Sequence, residues 1–204
     1  NHMPMPGVTV EMINWWFAWH SLEDLRYKIW WPEGHFGISI SEEDQQKVLD
    51  PQRPANLKFQ GITHHVVEDA GAGTEHIAIS FQTPEDMGFD MTRFKSSNVG
   101  TLVAANGVSS PEGAPIDAPK APAVMCHFVR ETDEGVEFRT RFWLSESFPL
   151  LLIAGFVILL DQTDNIMVGA LAGDEDPAVT DDAGREQAVG ELLVGVVHDV
   201  LGRH

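Results

Sequence analysis

The sequence predicts an α+β fold. Two observations carry that expectation: two pairs of extended, partly alternating segments, each joined across a short Gly-containing turn, and one long amphipathic stretch at the C-terminal end. Paired alternating runs around a tight turn read as antiparallel hairpins. Grouping strands together and placing a helix after them, rather than alternating the two, argues against a parallel α/β sheet. The 204 residues suit one domain. Asn1, His2 and Met3 read as a cloning scar and are set aside, which leaves a single domain over 4–204.

Val8 to Met12 leads into an aromatic helix. Ser21, followed three residues later by Asp24, reads as the N-cap of a second helix that runs through Trp30 and stops before Pro32. Within it Tyr27 and Trp31 stand at i and i+4 and could share a face. Ser41-Glu42-Glu43-Asp44 opens a short polar helix that ends near Asp50-Pro51. A strand is expected over Asn56–Asp69, with His64, Val66 and Glu68 on one face, and a second over Glu75–Gln82 with Ile77, Ile79 and Phe81 on one face. Ala70 to Gly73 turns between them. Ser97–Ala105 reads as a further strand, and Gly107–Pro122, rich in Pro and Gly, as a long loop of the kind that often serves as a lid. Val124–Glu131 and Val136–Leu144 form the second hairpin, turning at Thr132 to Gly135. Phe148–Leu160 is apolar but interrupted by Pro149, and too short for the roughly 20 residues a membrane span needs, so it reads as a buried strand or helix. Ala183–Arg203 is the clearest helix: Val189, Leu192, Leu193, Val196, Val197, Val200 and Leu201 recur at helical spacing.

Composition narrows the partners. A net charge of −18 would repel nucleic-acid phosphates and anionic membrane surfaces, so neither is expected as a partner. Against 31 acidic residues stand five lysines, and the acidity gathers in DEDPAVTDD; this is either an adaptation to high salt or a solvated acidic loop. One cysteine, Cys126, cannot close an internal disulfide and fits a reducing cytoplasm. It sits in an apolar run and reads as a small buried hydrophobe.

The richest stretch is NWWFAWHSLEDLRYKIWWPEGHFGI, from Asn14 to Ile38, which holds five of the six tryptophans and the single tyrosine. His20, Tyr27 and His35 sit among these rings, and Pro32 with Gly34 bends the chain before His35. Such density marks either a core corner or the wall of a small-molecule site.

Part of this stretch, RYKIWWPEGHFG, resembles the signature of the 2,4-diacetylphloroglucinol hydrolase family. VVEDAGAGTEHIAISFQTPEDMGFD and CHFVRETDEGVEFRTRFWL are similar to later segments of the same family, in the same order. The resemblance covers Val8 to about Leu144 and is poor beyond. It implies a zinc-dependent hydrolase that cleaves a carbon–carbon bond between an acyl group and a polyphenolic, phloroglucinol-like ring. It also implies a helix-grip, START-like fold, an antiparallel sheet wrapped on a long C-terminal helix.

Carried over residue by residue, the resemblance makes His35 and Glu68 zinc ligands and Tyr27 a residue lining the substrate site. Imidazole nitrogen and carboxylate oxygen are both zinc donors. The alternatives are an ordinary core histidine and a Tyr27 packed on Trp31. His127 and Glu131 invite pairing as a His-x-x-x-Glu motif, but on a strand they lie about 13 Å apart and cannot share an ion. His127 is therefore assigned to the substrate pocket, with Tyr27 as its catalytic partner, and Glu131 to a solvated strand end.

One departure stands out. The family takes two further ligands from a His-x-x-x-Glu pair on the last helix, and here those positions hold Gln187 and Glu191. Glu191 is retained as a metal candidate, yet it lies about 200° around the helix from Val189, away from the apolar stripe. Two rival readings follow. In one, the domain has the same fold, binds an aromatic small molecule and has lost catalysis. In the other, it is an oligomerisation module whose Trp cluster is solid. The expected partner is a small aromatic ketone, and a homodimer is left open.

Overall fold

The computed structural model describes residues 1–69, 73–114 and 121–144. The N-terminal helix forms where Thr9, in extended backbone, accepts the Met12 N–H on its hydroxyl at 3.2 Å and so caps a free helix donor. This helix, α1 (Val10–Trp19), runs into a 3-10 turn at His20–Leu22, and α2 (Asp24–Trp30) follows. Ser21 is not the expected cap: its hydroxyl donates back to the Ala18 carbonyl at 2.7 Å. The residue before α2 is Glu23, which makes no side-chain cap. Asp24 instead accepts the Ile38 N–H at 3.0 Å, pinning the start of α2 to the strand that comes next.

That strand, β2 (His35–Ser39), is followed by α3 (Glu42–Leu49), which opens where the sequence predicts and is capped by the Ser41 hydroxyl. The remaining elements are β3 (Thr63–Asp69), β4 (Thr74–Gln82), α4 (Thr92–Ser96), β5 (Val99–Pro111), β6 (Ala121–Thr132) and β7 (Gly135–Leu144). With β1 (His2–Pro6) they make a seven-stranded sheet in the order β1-β7-β6-β5-β4-β3-β2, every neighbouring pair antiparallel. The three N-terminal residues set aside in the sequence thus include the start of an edge strand, with Met3 opposite Phe138.

The first strand of the first hairpin starts later than its sequence suggests. Residues 56–62 fold back instead, because the Arg53 guanidinium donates to the carbonyls of Leu57 and Gln60, each at 2.7 Å. Of the loop expected over Gly107–Pro122, residues 107–111 and 121–122 are sheet, and residues 115–120 lie outside the described residues. Ser109 pairs with Ile77 on one side and Ala121 on the other, so the long strands β5 and β6 take in the two ends of it. Their prolines fall at or beside strand ends, where a missing N–H costs the ladder least.

The larger core lies between α1 and one face of the sheet. Ile13, Trp16, Phe17 and Trp19 pack with Phe59, Phe81, Val103, Ala105, Val129 and Phe138. The opposite face buries Leu102, Ala104 and Cys126 under Met87, Phe89 and Phe94. The helix-grip expectation is corrected here. The described structure is a seven-stranded antiparallel sheet with a few short helices, not a sheet wrapped on a long C-terminal helix, and α1 supplies the apolar side chains that close its core face. Phe148–Leu160 and the helix expected over Ala183–Arg203, with Gln187 and Glu191, lie outside the described residues.

Candidate active site

His35 and Glu68 meet because β2 and β3 are paired with these two residues in register. Partners across an antiparallel ladder project from the same face, and here that face is the core. The bend before His35 relies on a close approach. Gly34 and His35 donate their N–H groups to the Trp31 carbonyl at 3.2 and 2.8 Å, and a Cβ on Gly34 would lie 1.7 Å from the Trp31 ring. A register irregularity between His35 and Gly37 turns the start of β2 relative to the rest.

α2 presents Tyr27 to the same place. Its phenol donates to Glu68 Oε2 at 2.5 Å, and its ring stacks on His35 with centroids 3.9 Å apart and planes 9° from parallel. Trp31 is not the partner of Tyr27: it ends the helix in extended backbone and packs edge-on against His35. The three residues are almost inaccessible, with 4 %, 4 % and 7 % of the surface of Tyr27, His35 and Glu68 exposed.

Burial sets their chemistry. It pushes the Glu68 carboxyl up to about 7, against the opposing effect of the Tyr27 hydrogen bond. It also raises the Tyr27 phenol well above its ordinary value, with the Glu68 charge adding to the effect. His35 is driven down to about 3 by burial and stays a neutral imidazole. Its Nδ1 lies 3.2 Å from the Tyr27 carbonyl, which can only accept, so the ring proton resides on Nδ1. The lone pair of Nε2 then faces Glu68 Oε2 at 3.9 Å. This approach is no ion pair, because the imidazole is uncharged. Two acceptors face each other, and a proton or a cation between them would relieve the contact. A histidine that donates one N–H to a backbone carbonyl and leaves the other nitrogen free has the arrangement usual for a metal ligand. Among the described residues no group of three or more His, Cys, Asp or Glu is assembled around one point. His35 and Glu68 therefore fit as a pair of donors, and Glu191 falls outside the described residues.

His127 lies elsewhere on the same core face. Its Nδ1 is 2.8 Å from the Thr140 hydroxyl, and its ring packs against Phe17, Phe138 and Phe142. Burial holds it down at about 3. Phe17 touches both His127 and His20, so it stands between His127 and the Tyr27 cluster. Glu131 is exposed on the same strand, as expected of a solvated strand end.

Two further histidines join the cluster. His20 stacks on Tyr27, and His64 meets His20 edge-on at 5.3 Å. Strand alternation already puts His64 on the Glu68 face, but nothing in the spacing shows that α1 would bring His20 to it. The tryptophans Trp16 and Trp30 close the cluster from the helical side.

The family described as DAPG hydrolase PhiG domain matches residues 1–181. The chain is 40% identical over 141 residues to phloretin hydrolase of Eubacterium ramulus, covering 69% of this chain and 47% of that one. It is 28% identical over 141 residues to 2,4-diacetylphloroglucinol hydrolase of Pseudomonas protegens, covering 68% and 43%. A 2,4-diacetylphloroglucinol hydrolase of another Pseudomonas gives 28% over 141 residues, with 68% and 45% covered. The chain spans about half the length of the curated relatives it matches. With a family match over most of its length, the chain belongs to the DAPG hydrolase PhiG domain family.

Proposed function

We propose that this chain is a metal-dependent hydrolase that cleaves the carbon–carbon bond between an acyl group and a polyphenolic ring. The observation that carries the reading is the meeting of Tyr27, His35 and Glu68, three residues drawn from one helix and two strands into a single buried contact. The names of the relatives, hydrolases of phloretin and 2,4-diacetylphloroglucinol, support the substrate class. In this reading His35 and Glu68 hold zinc together with Glu191, and the ion, when bound, polarises the acyl carbonyl or lowers the pKa of a water.

The chain's own residues supply the rest. Tyr27 keeps its proton on the phenol oxygen, next to the carboxylate it binds, and from there can donate to a ring oxygen or a ring carbon. The neutral His127, on the far side of Phe17, steadies a ring oxygen. Water adds its oxygen to the acyl carbon. The electron pair of the breaking bond goes to the ring carbon, which takes up a proton. The products are a carboxylic acid and the deacylated ring. Burial keeps bulk water away from that carbanion-like carbon.

A second reading is a binding module without catalysis. The observation behind it is that the described residues gather two donors and no third. Metal analysis separates the two. Protein purified without chelator should carry about one zinc per chain and release a carboxylic acid from an acylphloroglucinol. His35→Ala should lower bound zinc roughly tenfold or more. A parent without zinc and without turnover leaves the binding module standing.

A further inference from the structure

His64 is a buried group that the proposed reaction does not use. It lies on β3, on the same face as Val66 and Glu68, and only 1 % of its surface is exposed. Its Nε2 has no hydrogen-bond partner among the described residues. Leaving a buried polar atom unpaired costs stability. A phenylalanine at this position would extend the cluster already made by Phe17, Phe59 and Phe81 without that cost.

The surroundings of His64 suit an aromatic ligand that carries hydroxyls. Its ring lies 4.6 Å from Phe81 and 5.3 Å, edge-on, from His20. His20 in turn stacks on Tyr27, and its ring centre lies 5.2 Å from that of Trp30. The His20 Nδ1 is 2.7 Å from the Trp16 carbonyl and so bears the ring proton, leaving a lone pair on Nε2. Burial keeps both imidazoles neutral. A phenolic hydroxyl both donates and accepts. It therefore satisfies His64 Nε2 in either tautomer and can donate to His20 Nε2. A ring without hydroxyls has no proton to donate to either nitrogen.

We propose that His64, with His20 beside it, is a positioning and specificity residue that hydrogen-bonds a hydroxyl of the substrate ring. The inference rests on the polyphenol reading above and deepens it. Acylated rings bearing free hydroxyls are selected because a ring that cannot donate leaves the lone pairs facing it without a proton, a mode of discrimination stronger than shape alone. Tyr27 and Glu68 then act where the acyl group joins the ring while the His64 pair holds a ring hydroxyl.

The probe is phloroglucinol, the bare trihydroxylated ring, with its trimethyl ether as the control, each titrated against the 204-residue chain by the fluorescence of the neighbouring tryptophans. The parent should prefer phloroglucinol. His64→Phe should weaken phloroglucinol roughly tenfold, about the loss of one net hydrogen bond, and leave the ether unchanged. His64→Gln, which keeps a donor and an acceptor, should recover most of the preference, and a purely structural role would not produce that rescue. Near-ultraviolet circular dichroism checks folding, and His64→Leu replaces the phenyl variant if it does not fold. Equal phloroglucinol affinity in parent and apolar variant overturns the role of His64 while turnover of an acylphloroglucinol by the parent still upholds the hydrolase. A parent that neither binds the ring nor cleaves the ketone overturns both.

Discussion

The two faces of the central sheet bury different things. On one, Leu102, Ala104 and Cys126 pack under Met87, Phe89 and Phe94, and the cluster is apolar throughout. On the other, α1 covers an equally hidden surface that includes Asn14, His20, His35, His64, Glu68 and His127. Asn14 is satisfied by Thr101, which donates to it at 2.9 Å. The histidines and the carboxylate are only partly compensated, and their ionisation is displaced by burial in every case. Burial alone therefore does not mark function in this fold. Several uncompensated titratable groups gathered at one place are the sharper pointer, because such groups cost stability and cluster where chemistry needs them.

The largest effect that would sharpen this contrast comes from the apolar face. Leu102→Ala should lower the free energy of unfolding by about 2–5 kcal/mol, through lost burial and the cavity left behind. Urea denaturation measures it. Turnover per folded molecule should stay at the parent level. A fall in kcat/KM that follows the stability loss would mean the two faces are not separable.

The next effect belongs to Glu68. Its folded pKa, about 7, lies above its ordinary value of 4.5. The protonated carboxyl is favoured by the fold, so this contribution is fully present below pH 4.5 and is lost as pH rises through 7. The difference is on the order of 3 kcal/mol. In chelator, Glu68→Gln should therefore stabilise the protein at pH 8 and change little at pH 4.5. The histidines act in the opposite sense. With folded values of about 4 for His20 and about 3 for His35 and His127, their contribution is present above pH 6.5 and is lost as pH falls towards 3 to 4. The parent should thus lose stability steeply on the acid side. Thermal melts of parent and variant across this range test both signs. A Glu68→Gln variant less stable than the parent at pH 8 would show that the carboxylate is compensated after all.

The smallest effect is at the bend that presents His35. Gly34→Ala places a methyl group against the Trp31 ring, which must shift. Because Trp31 is itself partly exposed, the ring can give way, and the expected loss is about 1–2 kcal/mol. Zinc affinity should fall with it, since the Trp31 ring packs edge-on against His35. Unchanged metal binding would show that His35 is held by its strand alone.

Much of this was legible in the sequence for reasons that are local. Period-two alternation put Ile77, Ile79 and Phe81 on one face, and that face is core. Ser41 capped its helix because the hydroxyl and the Asp44 N–H are three residues apart in any chain that turns there. The length of a strand excluded a shared ion at His127 and Glu131, and the two lie on one strand, one buried and the other exposed. Cys126 is buried, as its apolar run implied.

What the sequence by itself determined, then, was the set of strands, the faces of their side chains and the aromatic stretch that must be hidden. Tertiary structure alone decided the rest, because it depends on which backbone groups are free when distant segments meet. The start of the expected lid became sheet because β4 offered ladder partners to Gly107 through Pro111, and β6 to Gly107 through Ser109. Ser21 lost its cap because the 3-10 turn after α1 takes it in and α2 starts only after Glu23. Tyr27 left Trp31 for His35 and Glu68 because the helix ends at Trp31 and the chain doubles back. The cluster of His20 with His64 arises only when the turn after α1 is brought against β3, a contact between residues 44 apart in the chain that no local spacing encodes.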